Sequence, residues 1–394
     1  MSRFPSGQER RTPVSLRSQP EPRARGRGPR SGPAALAALC LLLAAPAARP
    51  PLAAQSGGNG TIYYGHYGRS ILVLDERTMR VTDTIPVTVG VPLIVGMSED
   101  RKRFYVTEPF NEHFEIIDIV SKRQVDRFTL SEGNRRVRVS GFNVDPQGRF
   151  AIMVTKTTTK QADRFVIGNP TLVKFDLATK KITDTIPWPN GREQDGARII
   201  FSPDGGLMYF FADEILVFDT ATLKQVDRWQ YATALDEGMG RFNFGFSRDA
   251  YDDPGFYTGM FSLTDPINRR TMMGVARVNL AARSIDYYTL GPSAPMGFTL
   301  SPDRTRAYGL RQEVGNWELW TFDLENRRVL SKIPFDGRPR MRLSVSSNGR
   351  LLYVSGAGQT IDIRDAGTFR LVRTVEVGGD VTSMIHLPPA APAR

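Results

Sequence analysis

Apolar and polar positions alternate with a period of two along most of this chain, the signature of half-buried strands. Seven short runs share one pattern, an alternating apolar strand closed by Asp or Asn. ILVLD ends at Asp75, EIIDI carries Asp118, LVKFD ends at Asp176 and ILVFD at Asp219. VARVN ends at Asn279, LWTFD at Asp323 and IDIRD at Asp365. A polar turn and a second β-rich run follow most of them, as in DERTMRVTDTIPV and DAGTFRLVRTVEV. Each reads as strand, hairpin turn, strand, with the Asp side chain capping the turn.

Between these runs lies a second unit: apolar strand, a Ser-Pro-Asp-Gly-like turn, strand. Its copies turn at Ser98, Asp145, Ser202, Ser247, Ser301 and Ser346. The two units alternate, so each pair supplies four antiparallel strands. The anchors are spaced 43, 58, 43, 60, 44 and 42 residues apart. A minimum near 42 fits one four-stranded propeller blade of roughly 40–45 residues. No amphipathic helix of useful length follows residue 55, which excludes parallel α/β folds, since these need a crossover helix for each strand. The expectation is an all-β, seven-bladed propeller over residues 61–388. Thr61–Tyr67 lacks an inner strand before it, and Asp380–Leu387 is an apolar strand with nothing after it. The C-terminal strand therefore completes the first blade and closes the ring.

Composition changes the picture mainly at the N-terminus. Residues 1–54 are Arg- and Pro-rich, then apolar from Ala34 to Ala48, then small, which reads as a secretory leader with cleavage near Ala54. The apolar run is shorter than the roughly 20 residues that span a bilayer. The chain is thus expected to be exported, to the periplasm or beyond, without a membrane span in its mature form. Residues 55–60 read as a short linker and 389–394 as a disordered tail.

The formal charge of +11 also belongs mostly to the leader. Nine Arg and two Glu leave with it, and the remainder carries 43 basic against 39 acidic residues. Nothing in that balance points to nucleic acid. The one Cys of the chain, Cys40, lies in the leader. The mature chain has no thiol for a disulfide, a Cys-rich zinc module or a C-x-x-C-H haem attachment.

The pattern x-I-x-V-x-D-x-x-T, followed by SPDG and by Tyr105-Val106-Thr107-Glu108, resembles the YVTN-type seven-bladed propellers. More narrowly, SPDRTRAYGL, ELWTFDLENRRVLSKIPF and the closing SMIHL resemble β chains of quinohaemoprotein amine dehydrogenases, and more distantly heavy chains of methylamine dehydrogenases. The resemblance implies a non-catalytic platform. A small partner subunit would carry a quinone made from a Cys–Trp pair, and a dihaem subunit would accept the electrons. No cofactor would reside in this chain, and no catalytic or metal-binding residue carries over to it. The alternative is a free-standing YVTN-type binding or cell-surface module without a redox role.

Two insertions carry the best site signal, because binding concentrates in loops on a rigid scaffold. They are Lys156–Pro170 and Asp249–Met273. The second holds Tyr251, Phe256, Tyr257, Met260 and Phe261, residue types enriched in interface cores. With Trp317 they are the candidates for partner or substrate contact. The competing reading is a hairpin extension whose aromatics cover the blade. Trp317 and Trp320, three apart on one strand, are expected on opposite faces. His66 and His386 fall in the same closing blade, where packing and polar contacts are favoured over a shared metal. Asp249, Asp252 and Asp253 lack the spacing of an EF-hand loop. Arg135, Arg136 and Arg138 read as a solvated strand face.

Overall fold

The computed structural model describes residues 56–389, except 212–213, 230–241 and 246–248 and the side chains of 190 and 242. The leader, Cys40, the turn at Ser247 and the tail beyond residue 389 lie outside the described residues. Seven antiparallel sheets follow one another in chain order. Blade 1 is built from Val381–Leu387, Thr61–His66, Ser70–Asp75 and Arg80–Pro86, so the C-terminal strand is the inner strand of the first blade. Blades 2 to 7 begin with inner strands Leu93–Met97, Arg135–Val144, Ile199–Phe201, Phe242–Phe244, Met296–Leu300 and Arg342–Val345.

Seven apolar clusters, one at each junction between neighbouring blades, make this a closed ring. Period two drives them. On the first described strand Ile62 and Tyr64 face blade 7, while Tyr63 faces blade 2. Trp317 packs against blade 7 and Trp320 against blade 5, on opposite faces as their spacing requires. Burying a side chain such as Phe210 or Phe322, each 0 % exposed, contributes about 1.5–3 kcal/mol. The ring closes because the cluster joining Leu351, Tyr353 and Ile363 to Ile62, Tyr64 and Leu72 is as apolar as the other six.

The turns between the first and second strands, and between the third and fourth, lie at one end of the ring, here the turn end. In each of the seven anchor turns the Asp or Asn side chain accepts the N–H three residues on, at 2.6–3.0 Å. The residue after that is left-handed in all seven, and never Gly: Met79, Lys122, Lys180, Leu223, Arg283, Arg327 and Phe369, with φ of 53–59°. These seven reach the preceding blade. Lys122, Lys180, Arg283 and Arg327 pair with outer-strand Asp83, Asp126, Asp227 and Asp286. Met79, Leu223 and Phe369 instead join the apolar clusters. Each junction is thus closed at this end by an ion pair or by an apolar plug.

The five described Ser or Asp turns share a second device. Oγ of Ser98, Ser202, Ser301 and Ser346, and Oδ1 of Asp145, each accept the N–H five residues on, at 2.9–3.0 Å. Blades 3 and 5 depart from the common length. Blade 3 extends Phe150–Lys160 into a hairpin with Phe165–Ile167. Blade 5 pairs Phe256–Asp265 with Arg270–Asn279.

Candidate functional site

The blade 5 insertion splits into two parts with different fates. Its strand part is core. Tyr257 is 0 %, Phe261 2 % and Met260 8 % exposed, packed against blades 4 and 6. Tyr257 also donates its hydroxyl proton to the Gly245 carbonyl. These three candidates are therefore not available to a partner. On an extended strand between two blades both faces are buried, so an aromatic-rich insertion feeds both clusters. Phe256 is half-buried under the Arg277 guanidinium, 4.4 Å from its ring centroid. Trp317 is half-buried against Gly337 and the cluster between blades 6 and 7.

The loop part, residues 249–255, crosses the turn end of the channel. Asp249 accepts the N–H of Tyr251 and of Leu300 on the inner strand of blade 6, both at 3.0 Å. Burial raises its carboxyl above the usual carboxylate range, while those N–H bonds oppose the rise. Tyr251 donates its hydroxyl proton to the Val345 carbonyl of blade 7 at 2.9 Å, and Nδ1 of His386 in blade 1 lies 3.2 Å from the same oxygen. Burial holds the Tyr251 phenol well above its ordinary value. The neighbouring acids diverge: Asp252 binds Thr258, and Asp253 binds Arg304 and Arg277. They do not converge on one point as a cation site would require.

His386 is also the centre of the ring closure. Its Nε2 lies 3.2 Å from Glu76 Oε1, and both side chains are almost wholly buried. Ser344 Oγ stands 3.2 Å from Nδ1. The Glu76 carboxylate accepts the N–H of Gly60 at 2.9 Å and of Ser347 at 3.1 Å. Residues 56–60, expected as a linker, are a strap over this pair. Gly60 needs to be glycine, because a Cβ there would stand 2.5 Å from Glu76 Oε2. His66 shares the blade but sits at the other end of its strand, beside Ser70. The two histidines are not brought together.

Beside this plug, on the blade 2, 3 and 4 side, the turn end keeps a cavity of about 230 Å³. The ends of three inner strands line it, and Pro254–Gly255 of the blade 5 loop closes one wall. Its apolar lining includes Met97, Val144 and Phe201, and its charged residues among those described are Glu99 and Asp145. Among the described residues no Lys, Arg or His lines it. The Asp145 carboxylate is committed to Arg149 and to the N–H of Phe150, and Glu99 is exposed beside Ser98 at the rim. The sequence marked Ser98, Asp145 and Ser202 as turn anchors. That Met97, Glu99 and Phe201 enclose a cavity is visible only once the ring brings distant blades together.

At the opposite end, arginines fasten inner strands to one another. Arg198 donates to Asn243 Oδ1 at 3.2 Å and to the Phe244 carbonyl, from blade 4 to blade 5. Arg342 donates to the Thr382 carbonyl at 3.1 Å, from blade 7 to blade 1. Arg135, Arg136 and Arg138 are solvent-exposed on blade 3.

No family model and no curated protein matches the chain. Among solved structures it is similar to a functionally unknown protein of Desulfotomaculum acetoxidans. That likeness has a TM-score of 0.53 and 16 % identity, over 84 % of this chain and 99 % of the other. It is also similar to apo AztD of Citrobacter koseri, with a TM-score of 0.51 and 13 % identity over 83 % and 98 %. At these identities the likeness concerns the fold alone.

Proposed function

We propose that the chain is an exported, non-catalytic propeller scaffold, acting as the β-like subunit of a quinohaemoprotein amine dehydrogenase-type complex. The observation that carries this reading is the cavity at the turn end of the channel, walled by the blade 5 loop. Its lining joins apolar side chains to the acid Glu99, a chemistry suited to a small organic ammonium. The rigid ring would hold that cavity open, exclude water and present it to a quinone-bearing partner, while a dihaem subunit takes up the electrons.

The test is to isolate the tagged protein from its own host, record the visible spectrum and weigh the co-eluting chains. A c-type haem band with a small Cys-rich chain supports the reading. A colourless, solitary propeller overturns it and leaves a free-standing binding module. Calorimetric titration with a primary alkylamine tests the cavity separately. Binding that weakens about tenfold in Glu99→Gln supports the assignment of the acid, a loss typical of one charged partner. Equal binding by both proteins refutes it.

A further inference from the structure

The tips between the second and third strands of the blades all leave the ring at the end opposite the turns, and they carry an unusual load. Tyr67 in blade 1 is 65 % exposed, Phe110 in blade 2 is 75 %, Ile267 in blade 5 is 73 % and Val314 in blade 6 is 92 %. Blade 3 adds Phe165 and Ile167, each 65 % exposed, on its extra hairpin strand. Of the six described tips, only the Gly356–Gln359 tip of blade 7 lacks one. Within the turns of the other end, Val120 is the only comparable residue among those described. Single exposed apolar residues are ordinary, but their concentration on one end is not.

The charges beside these tips are also sorted. Four acids beside the tips have a cation: Glu112 with Arg136 at 3.8 Å, Asp163 with Arg164 at 3.7 Å, Asp265 with Arg270 at 3.0 Å and Glu313 with Arg311 at 2.5 Å, whereas the exposed Glu132 and Glu193 near the blade 3 hairpin have no ion pair with a described residue. Arg69, Lys160 and Arg269 stand next to the apolar tips of blades 1, 3 and 5 and form no ion pair with a described residue. Directly beside the apolar tips of blades 1, 3 and 5 the crown therefore presents these three cations.

We infer that this end of the ring docks on a lipid bilayer bearing anionic headgroups. The apolar side chains would enter the interface, and Arg69, Lys160 and Arg269 would meet the headgroup charges. The tips are separated around the ring rather than gathered into one groove. A flat surface meets them together, whereas a small globular partner meets only those on one side. The turn-end cavity would then face away from the membrane. This inference goes beyond the scaffold proposal and does not depend on it.

Co-sedimentation of the exported protein with phosphatidylcholine vesicles, with and without about one-third phosphatidylglycerol, tests it. Binding should require the anionic lipid and fall steeply when salt is raised from about 0.05 to about 0.5 M. The combined Phe165→Ser, Ile167→Ser, Ile267→Ser and Val314→Ser protein should bind at least about tenfold more weakly. So should the combined Arg69→Gln, Lys160→Gln and Arg269→Gln protein. Val120→Ser, at the other end, should bind like the parent. Because every altered side chain is exposed, unchanged thermal unfolding checks that folding is intact. Val314→Trp should show blue-shifted emission on anionic vesicles. A parent protein that stays in the supernatant with both vesicles overturns the inference. So does equal binding by the tip variants. Loss of a stoichiometric protein partner in those variants, without any lipid binding, overturns it in favour of a protein interface.

Discussion

The two ends of the ring solve opposite problems. At the turn end the recurring polar side chains are committed to the backbone or to the preceding blade: anchor Asp to N–H, turn Ser to N–H, left-handed Lys or Arg to the neighbouring Asp. Even the channel there is partly filled, by Tyr251, Asp249 and the Glu76–His386 pair under the strap. At the tip end the side chains of Phe110, Ile267 and Val314 meet no core at all. Stability is concentrated at one end, which leaves the other free to vary and to bind.

That contrast can be broken most severely at the strap. Glu76→Ala leaves the N–H of Gly60 and Ser347 and the imidazole of His386 buried without their partner. A loss of about 3–5 kcal/mol is expected in denaturant unfolding. A change below about 1 kcal/mol would mean that water replaces the carboxylate. Next comes Ser346→Ala, which strips the buried acceptor of the Leu351 N–H and should cost about 1–2 kcal/mol. Ile267→Ser at the tip end should stay within about 0.5 kcal/mol. If the two substitutions cost the same, the division between the ends is wrong.

Gly148→Ala sharpens the comparison, because a Cβ there meets nothing within 4 Å and only the φ of 69° opposes it. About 1 kcal/mol is expected, measured by the shift of the denaturation midpoint. A smaller effect, under about 0.5 kcal/mol, is expected for Lys122→Gln, whose pair with Asp83 is two-fifths exposed and screened by solvent.

The last effect appears only in acid. Hydrogen bonds from Asn268 and the pairing with Arg270 lower the Asp265 carboxyl to about 2. The unfolded chain therefore binds more protons between about pH 4 and pH 2, and stability falls as pH drops through that window. Asp265→Asn should flatten this limb of a pH–melting curve. The Asp176 and Asp219 carboxylates, lowered chiefly by the N–H of Thr179 and Thr222, contribute in the same direction. An unchanged acid limb in Asp265→Asn would remove Asp265 from the account.

How much of this was legible in the sequence follows the same division. Period-two alternation and the Asp or Asn anchors are local signals repeated seven times, the Ser or Asp turns recur six times, and the unpaired first and last strands mark the two ends. They define four-stranded blades, their number and the closure by Val381–Leu387. Burial across blades is not local. Tyr257, Met260 and Phe261 have the composition of an interface and the position of a core, and only the junction with blades 4 and 6 distinguishes the two. Likewise, Glu76 and His386 are 310 residues apart in the chain. Closing a ring juxtaposes residues that no sequence period relates. The chain alone therefore determined the fold, while tertiary structure decided that the strap is a seal, that the blade 5 loop is a plug, and which end is left free to bind.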